Sequence, residues 1–393
     1  MPWALRMITF AGLLIVLLLI YTGFRYFRSI RILDLQPVLL YRAIFFILAA
    51  MFLAFPLAGH LEYWTHNSFN RTAYPGFIVY PFWYGLVFTG AMLNWLLLHD
   101  LLKPLVLRFS RKDNLKLTSW FAGAFLVLAL LTALYTAGKM AWDTRRIAVD
   151  HISYELPGGI SLSGPLTIVH IADLHADQYT GAKKMERYVR KINQAKPDVV
   201  VFAGDLISSG LDHVEAGADA LAGIRSTYGT WFVMGDHDYW SGTDYIAEAV
   251  EARGIHVLQN ENAVISHRDM PIKITGVTEL YSEQIEIAKL ETLLEEAAGE
   301  GLHLLLSHQA TDRLIDAAVD SGVHQILAGH THGGQIRVRL FFYPLTAVLA
   351  ETPYVKGSWL KGHTLLNINS GLGFTLSPVR YNAPAQVTVI HVK

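Results

Sequence analysis

The spacing of apolar and polar positions divides the chain into two textures. Between Arg6 and Arg25 no residue is charged, and uncharged apolar stretches recur over residues 43–61, 72–99 and 117–138. About 20 apolar residues suffice to cross a bilayer core as a helix, so the pattern predicts four spans, at 7–24, 37–60, 76–99 and 117–138, within an all-α transmembrane region covering residues 1–140. The first stretch is followed by Phe24-Arg25-Tyr26-Phe27-Arg28 rather than by a small-residue cleavage site, which favours a retained anchor over a signal peptide. Tyr74, Tyr80, Phe82, Trp83 and Tyr84 read as an interfacial aromatic belt. His60, Glu62, His66 and Asn94, in or near the spans, read as interfacial or interhelical polar groups, with the lining of a lipid site as the rarer role.

From about Ala148 the periods shorten. Residues 151–156 alternate and meet Pro157-Gly158-Gly159, which predicts a strand pair at the opening of a second domain. Residues 166–171 and 198–202 are continuous apolar runs short enough for buried strands, while 181–195 repeats with helical period. The alternation continues through helix 214–225, strand 230–234, helix 244–253, strands 255–258 and 272–276, helix 287–298, strand 302–306, helix 311–320 and the apolar run 323–327. This is an α/β domain, assigned to residues 148–393.

Composition narrows the chemistry. The 393 residues carry a formal charge of -1 and no cysteine. Near-neutrality gives nucleic-acid binding no support, and a bound metal would have to be held by His, Asp, Glu or Asn rather than by thiolate. Basic residues cluster after the first span (Arg25, Arg28, Arg31) and after the third (Lys103, Arg108, Arg111, Lys112, Lys116), whereas Arg71 stands alone after the second. Short loops rich in Lys and Arg stay cytoplasmic. The reading is an integral membrane protein with everything after Gly138 on the extracytoplasmic side.

Most apolar runs of the second half end in a polar tip. They deliver Asp173 and His175, Asp205, Asp236 and His237, His308, and His330 and His332. Ligands of α/β sheets gather at the carboxyl ends of strands, so five separate segments should bring these side chains to one edge. His330-Thr331-His332 alone is a weak signal; its convergence with the other four is a strong one. His170, inside a strand, reads as a satisfied core histidine. Tyr239 and Trp240 either wall a leaving group or pack.

Asp173-Leu174-His175, Gly204-Asp205, Gly235-Asp236-His237-Asp238, His308 and Gly329-His330-Thr331-His332, in that order, resemble the calcineurin-like metallophosphoesterases. The closing Asn369-Ser370-Gly371-Leu372-Gly373 with Pro378-Val379-Arg380 is similar to the bacterial membrane-associated branch of that family. The resemblance implies a four-layer sandwich, two mixed sheets between helices, with two divalent ions (Mn, Fe or Zn) at the strand ends. It implies one ion on Asp173, His175, Asp205 and His332, a second on Asp205, Asp236, His308 and His330, and attack by metal-bound hydroxide. His237 would stabilise the transferring phosphoryl or protonate the leaving oxygen. Asp238 would orient His237, or else serve only as a capping aspartate. Asp236 departs from the family pattern, which has Asn there.

These readings converge on a membrane-anchored dinuclear-metal phosphoesterase that hydrolyses a phosphoester or pyrophosphate bond. Four spans exceed what an anchor needs, so a lipid-linked or amphiphilic substrate is expected. The alternative is a membrane sensor or scaffold in which a degenerate phosphoesterase domain only binds metal.

Overall fold

The computed structural model describes residues 1–70, 73–109, 114–157, 164–278 and 286–393. Its contacts divide the chain into two units, one comprising Met1–Thr144, Ile336–Thr346 and Leu376–Asn382, the other Arg145–Gln335, Ala347–Thr375 and Ala383–Lys393.

The first unit is built on α1 (Trp3–Ile32), α2 (Val38–His66), α3 (Gly76–Phe109) and α4 (Asn114–Arg145), each long and apolar enough to cross a membrane. All four run past the expected spans, because the flanking polar residues continue the helices into the regions outside hydrocarbon. In lipid there is little hydrophobic drive between helices, so they pack through small residues. At Gly85 an added Cβ would lie 2.6 Å from the ring of Phe52, so that ring of α2 packs directly on the α3 backbone. His60 and Glu62 find partners within the unit. His60 Nε2 meets Thr9 Oγ1 of α1 at 2.8 Å, and Glu62 accepts hydrogen bonds from Asn70 N–H (3.1 Å) and Tyr74 O–H (2.6 Å).

The second unit holds two six-stranded sheets. The first runs β1 (Ile147–Tyr154), β14 (Ala385–Val392), β2 (Leu166–Ile171), β3 (Val199–Ala203), β4 (Thr230–Val233) and β5 (His256–Val257). The second runs β12 (Gly357–Lys361), β13 (Thr364–Ile368), β9 (Gln325–Ala328), β8 (Leu302–Ser307), β7 (Met270–Val277) and β6 (Glu261–His267). The remaining strands, β10 (Val338–Leu340) and β11 (Tyr343–Leu345), form a hairpin of the first unit. The continuous apolar runs are the strands buried on both faces. Ile168, Val199, Val201 and Val233 meet Ile272, Ile274, Leu304 and Leu306 between the sheets. Outside the first sheet lie α5 (Ala182–Gln194), α6 (Val214–Ala222) and α8 (Thr243–Glu251), and outside the second α9 (Ile287–Glu296) and α10 (Asp312–Asp320). The result is helix, sheet, sheet, helix, as expected.

One expectation is corrected. Residues 151–156 do not open a strand pair: β1 lies parallel to β14, with Tyr154 opposite Val392. Alternation marks a strand with one covered face but does not name its neighbour. Most of the Pro157-Gly158-Gly159 turn lies outside the described residues.

His170 is fully buried on β2, its Nδ1 2.6 Å from Asn367 Oδ1, and burial pushes its pKa down to about 4. His303, bonded to Thr275 Oγ1 at 2.7 Å, is lowered to about 4 by burial and then by the charges of His324 and Lys273. The unfolded chain takes up these protons near pH 6.5, the folded chain only near pH 4, so stability present at pH 7 is lost as pH falls through that window. Each site is worth about 3 kcal/mol at the acid end. Thermal unfolding of the chelated full-length protein from pH 7 to 4.5 should therefore show a steep loss of Tm that is shallower in His303→Gln; equal slopes would remove His303 from the account.

Candidate metal centre

Strands β2, β3, β4, β8 and β9 end within three residues of Asp173, Asp205, Asp236, His308 and His330. The chain leaves them by unusually tight exits. Asp173, His175, Asp205, His330 and His332 all have left-handed backbones, with φ of 51°, 44°, 60°, 67° and 50°. Such conformations cost a non-glycine residue about 1–3 kcal/mol and persist where the surroundings over-determine them. Here Asp173 N–H donates to Gly204 O at 2.9 Å, and His175 N–H to Asp205 O at 3.0 Å. Gly235 is needed for close approach: a Cβ there would fall 2.1 Å from Asp205 Oδ1.

The seven residues expected to bind metal come together in two groups. Asp173, His175, Asp205 and His332 present donor atoms within 4.8 Å of one another, and so do Asp236, His308 and His330. Asp205 stands between them, its Oδ2 3.2 Å from His175 Nε2 and 3.3 Å from His308 Nε2. His175 and His332 face each other through their Nε2 atoms at 3.0 Å, and His332 Nε2 lies 3.4 Å from Asp173 Oδ1. In the second group His308 Nε2 lies 3.0 Å and His330 Nδ1 3.4 Å from Asp236 Oδ1.

The outward-facing ring nitrogens say what these contacts are. His308 Nδ1 sits 2.7 Å from Ala203 O and must donate to it, since a carbonyl only accepts. In the neutral ring Nε2 is then a bare lone pair, aimed at two carboxylates. His330 Nε2 sits 2.8 Å from Glu351 Oε1, which leaves Nδ1 as a lone pair aimed at Asp236 Oδ1 and, at 3.3 Å, His308 Nε2. Lone pairs converging on carboxylates need either a proton or a cation between them. Burial disfavours the protonated rings, but Asp205 and Asp236 outweigh it at His308, and Asp236 and Glu351 outweigh it at His330, which is driven up to about 9. Burial and Asp205 act to raise the Asp236 carboxyl, yet His308 and His330 hold it below the ordinary range. The same electrostatics would bind divalent cations. Separations of 3.0 and 3.4 Å between neighbouring donor atoms are short enough for both to reach a shared ion with bonds of about 2.1 Å. These residues fit metal.

His237 N–H donates to Asp205 Oδ1 at 3.0 Å, and its ring Nδ1 is held by Ser208 O. Asp238 does not hold His237. Its buried carboxylate accepts the backbone N–H groups of Asp205 (2.9 Å), Leu206 (2.9 Å) and Gly235 (3.0 Å). The expected orienting role thus belongs to Ser208, while Asp238 caps α7 (Asp236–Ser241) and pins the loop carrying Asp205. Burial and the charge of Asp205 push the Asp238 carboxyl up to about 8, against these backbone bonds. Trp240 lies 5.0 Å from the His237 ring and is 54% exposed, whereas Tyr239 packs on the core.

Glu351 was invisible in the sequence, since no motif surrounds it. A carboxylate bonded to the far nitrogen of a ligating imidazole fixes its tautomer and raises its basicity, and losing one weakens metal binding by roughly 10- to 100-fold. Glu351→Gln should therefore weaken Mn(II) binding to the second group by about that factor in calorimetric titrations. Unchanged affinity would reduce the contact to a surface hydrogen bond.

Comparison with known proteins finds a family for the chain. The family model for calcineurin-like phosphoesterases matches residues 166–334. The uncharacterized metallophosphoesterase YkuE of Bacillus subtilis is 31% identical over 237 residues, covering 58% of this chain and 78% of that protein. A "transmembrane protein with metallophosphoesterase domain" of Danio rerio is 27% identical over 280 residues, 68% of this chain, and the match spans only 62% of that relative's length. Among solved structures, the NAD nucleotidase NadN of Haemophilus influenzae aligns with a TM-score of 0.39 at 16% identity, over 53% of this chain and 46% of that one. The chain belongs to the calcineurin-like phosphoesterase family.

Proposed function

We propose that the chain is a membrane-embedded, two-metal phosphoric ester hydrolase acting on an amphiphilic substrate through a phosphoester or pyrophosphate bond. The observation that carries this reading is the set of imidazole nitrogens brought against buried carboxylates around Asp205. Asp173, His175, Asp205 and His332 would hold one ion, and Asp205, Asp236, His308 and His330 the other. Imidazole and carboxylate without thiolate suit Mn, Fe or Zn. When bound, two such ions polarise phosphoryl oxygens and make a water nucleophilic near neutral pH.

The chain's own groups do the rest. With Nδ1 donating to Ser208 O, the His237 ring can carry a proton on Nε2 and give it to the departing oxygen. Asp238 acts as a positioning residue, keeping the Asp205 backbone in its left-handed turn. The four apolar helices favour a substrate that partitions into lipid, and the basic loops favour an extracytoplasmic position for the residues after Gly138. The test is hydrolysis by the full-length protein in nanodiscs, with and without Mn(II), of a soluble aryl phosphodiester beside lipid phosphates. Metal-dependent turnover with preference for the lipids is expected. No turnover on either class would sink the enzymatic reading, and turnover of the soluble ester alone would sink the amphiphile.

Asp236 adds a negative charge where the family pattern has a neutral amide. Asp236→Asn should move the acid limb of the pH–rate profile to lower pH by about one unit and weaken Mn(II) binding by roughly tenfold. An unmoved limb with unchanged affinity would show that the extra charge is compensated elsewhere.

A further inference from the structure

Asn94 lies within the apolar stretch of α3, roughly 27 Å along the helix from Gly76 at about 1.5 Å per residue. Its amide is bonded to a segment far away in sequence: Nδ2 donates to Arg339 O at 2.7 Å and Oδ1 accepts Phe341 N–H at 2.6 Å. One turn earlier, a Cβ on Gly90 would lie 3.2 Å from Val338 Cγ1. The β10–β11 hairpin therefore lies along α3, inside the first unit, with its turn at the level of Asn94.

The composition of that turn is unusual. Leu340 pairs with Tyr343, so the connection is Phe341–Phe342, and Phe341 has φ 54° where two-residue turns ordinarily use Asn, Asp or Gly. Phe342 is 97% exposed, Tyr343 60% and Phe341 46%. Trp95 and Leu97 of α3, beside Asn94, are exposed too, so the tip continues the apolar surface that the spans turn outward.

We infer that the β10–β11 hairpin is inserted into the bilayer, with the acyl chains of the lipids as the occupant of its aromatic tip. Backbone in hydrocarbon must have its N–H and C=O groups satisfied by protein. Asn94 does this for the turn, which explains why a span carries an amide there. The inference rests on the spans and not on the proposed activity.

The absence of cysteine makes the test direct. Phe342→Cys, labelled with an environment-sensitive nitrobenzoxadiazole dye, is compared in nanodiscs with Leu130→Cys on α4 and Glu291→Cys on α9, using phosphatidylcholine with and without brominated acyl chains. The expected result is blue-shifted emission at position 342, quenched by brominated lipid about as strongly as at 130, while 291 is neither. Red emission without quenching would place the tip in water, and blue emission without quenching would place it against protein; either overturns the inference. Adding Asn94→Leu should raise the water exposure of the label at 342, and an unchanged spectrum would remove the amide clamp.

Discussion

Asp205→Asn is expected to lower kcat/KM by about 10³-fold, which corresponds to roughly 4 kcal/mol of transition-state stabilisation. Asp205 reaches both groups of donors through its side chain: one oxygen lies 3.2 Å from His175 Nε2 and 3.3 Å from His308 Nε2, while the other accepts His237 N–H. Burial acts to raise the Asp205 carboxyl, yet the charges of His308, His237 and His175 hold it well below the ordinary range. The substitution removes that charge without changing volume, so the fold should survive. The measurement is turnover together with metal content by elemental analysis, on protein whose thermal unfolding matches the parent. Loss of turnover with at least one ion gone is the expected pair. Activity within tenfold of the parent at full folding would show that turnover does not depend on Asp205 joining the two groups.

The parts of this centre readable from sequence were those that obey local rules. A short apolar run closed by a polar tip is a buried strand with a functional end, and β2, β3, β4, β8 and β9 follow that rule with their tips in one place. What escaped was set by contacts distant in the chain. Glu351 reaches His330 from a loop without a motif. The partner of β1 is the last strand, a pairing that no turn encodes. Asn94 reads as an interhelical amide until the hairpin appears beside it, because strands of three residues leave almost no periodicity to detect. Asp238 shows why motif and role must be separated: its position next to His237 suggested a partner, but three backbone N–H groups compete for the carboxylate and win. The left-handed turns at Asp173, His175 and Asp205 likewise carry no sign in residue type, since Asp and His visit that region without requiring it.

His237→Gln is expected to lower kcat by roughly 10²-fold, the usual size of a lost proton donor, and to leave metal binding unchanged. Geometry alone permits two roles, since His237 also has a donor atom within 4.8 Å of those of Asp205 and Asp236 and could be counted as a third ligand group. The hydrogen bond of Nδ1 to Ser208 O argues for the proton donor, because it fixes the ring with one nitrogen already engaged by the loop after β3. The two roles differ in what else moves. A lost ligand would lower metal content and weaken Mn(II) binding with every substrate alike. A lost acid would keep both ions and would harm substrates in proportion to the basicity of their leaving group, so that a nitrophenyl ester loses little and an alkyl phosphate loses the full factor. Equal loss on the two esters together with a missing ion would make His237 a ligand, and the proton would then have to come from elsewhere in the site.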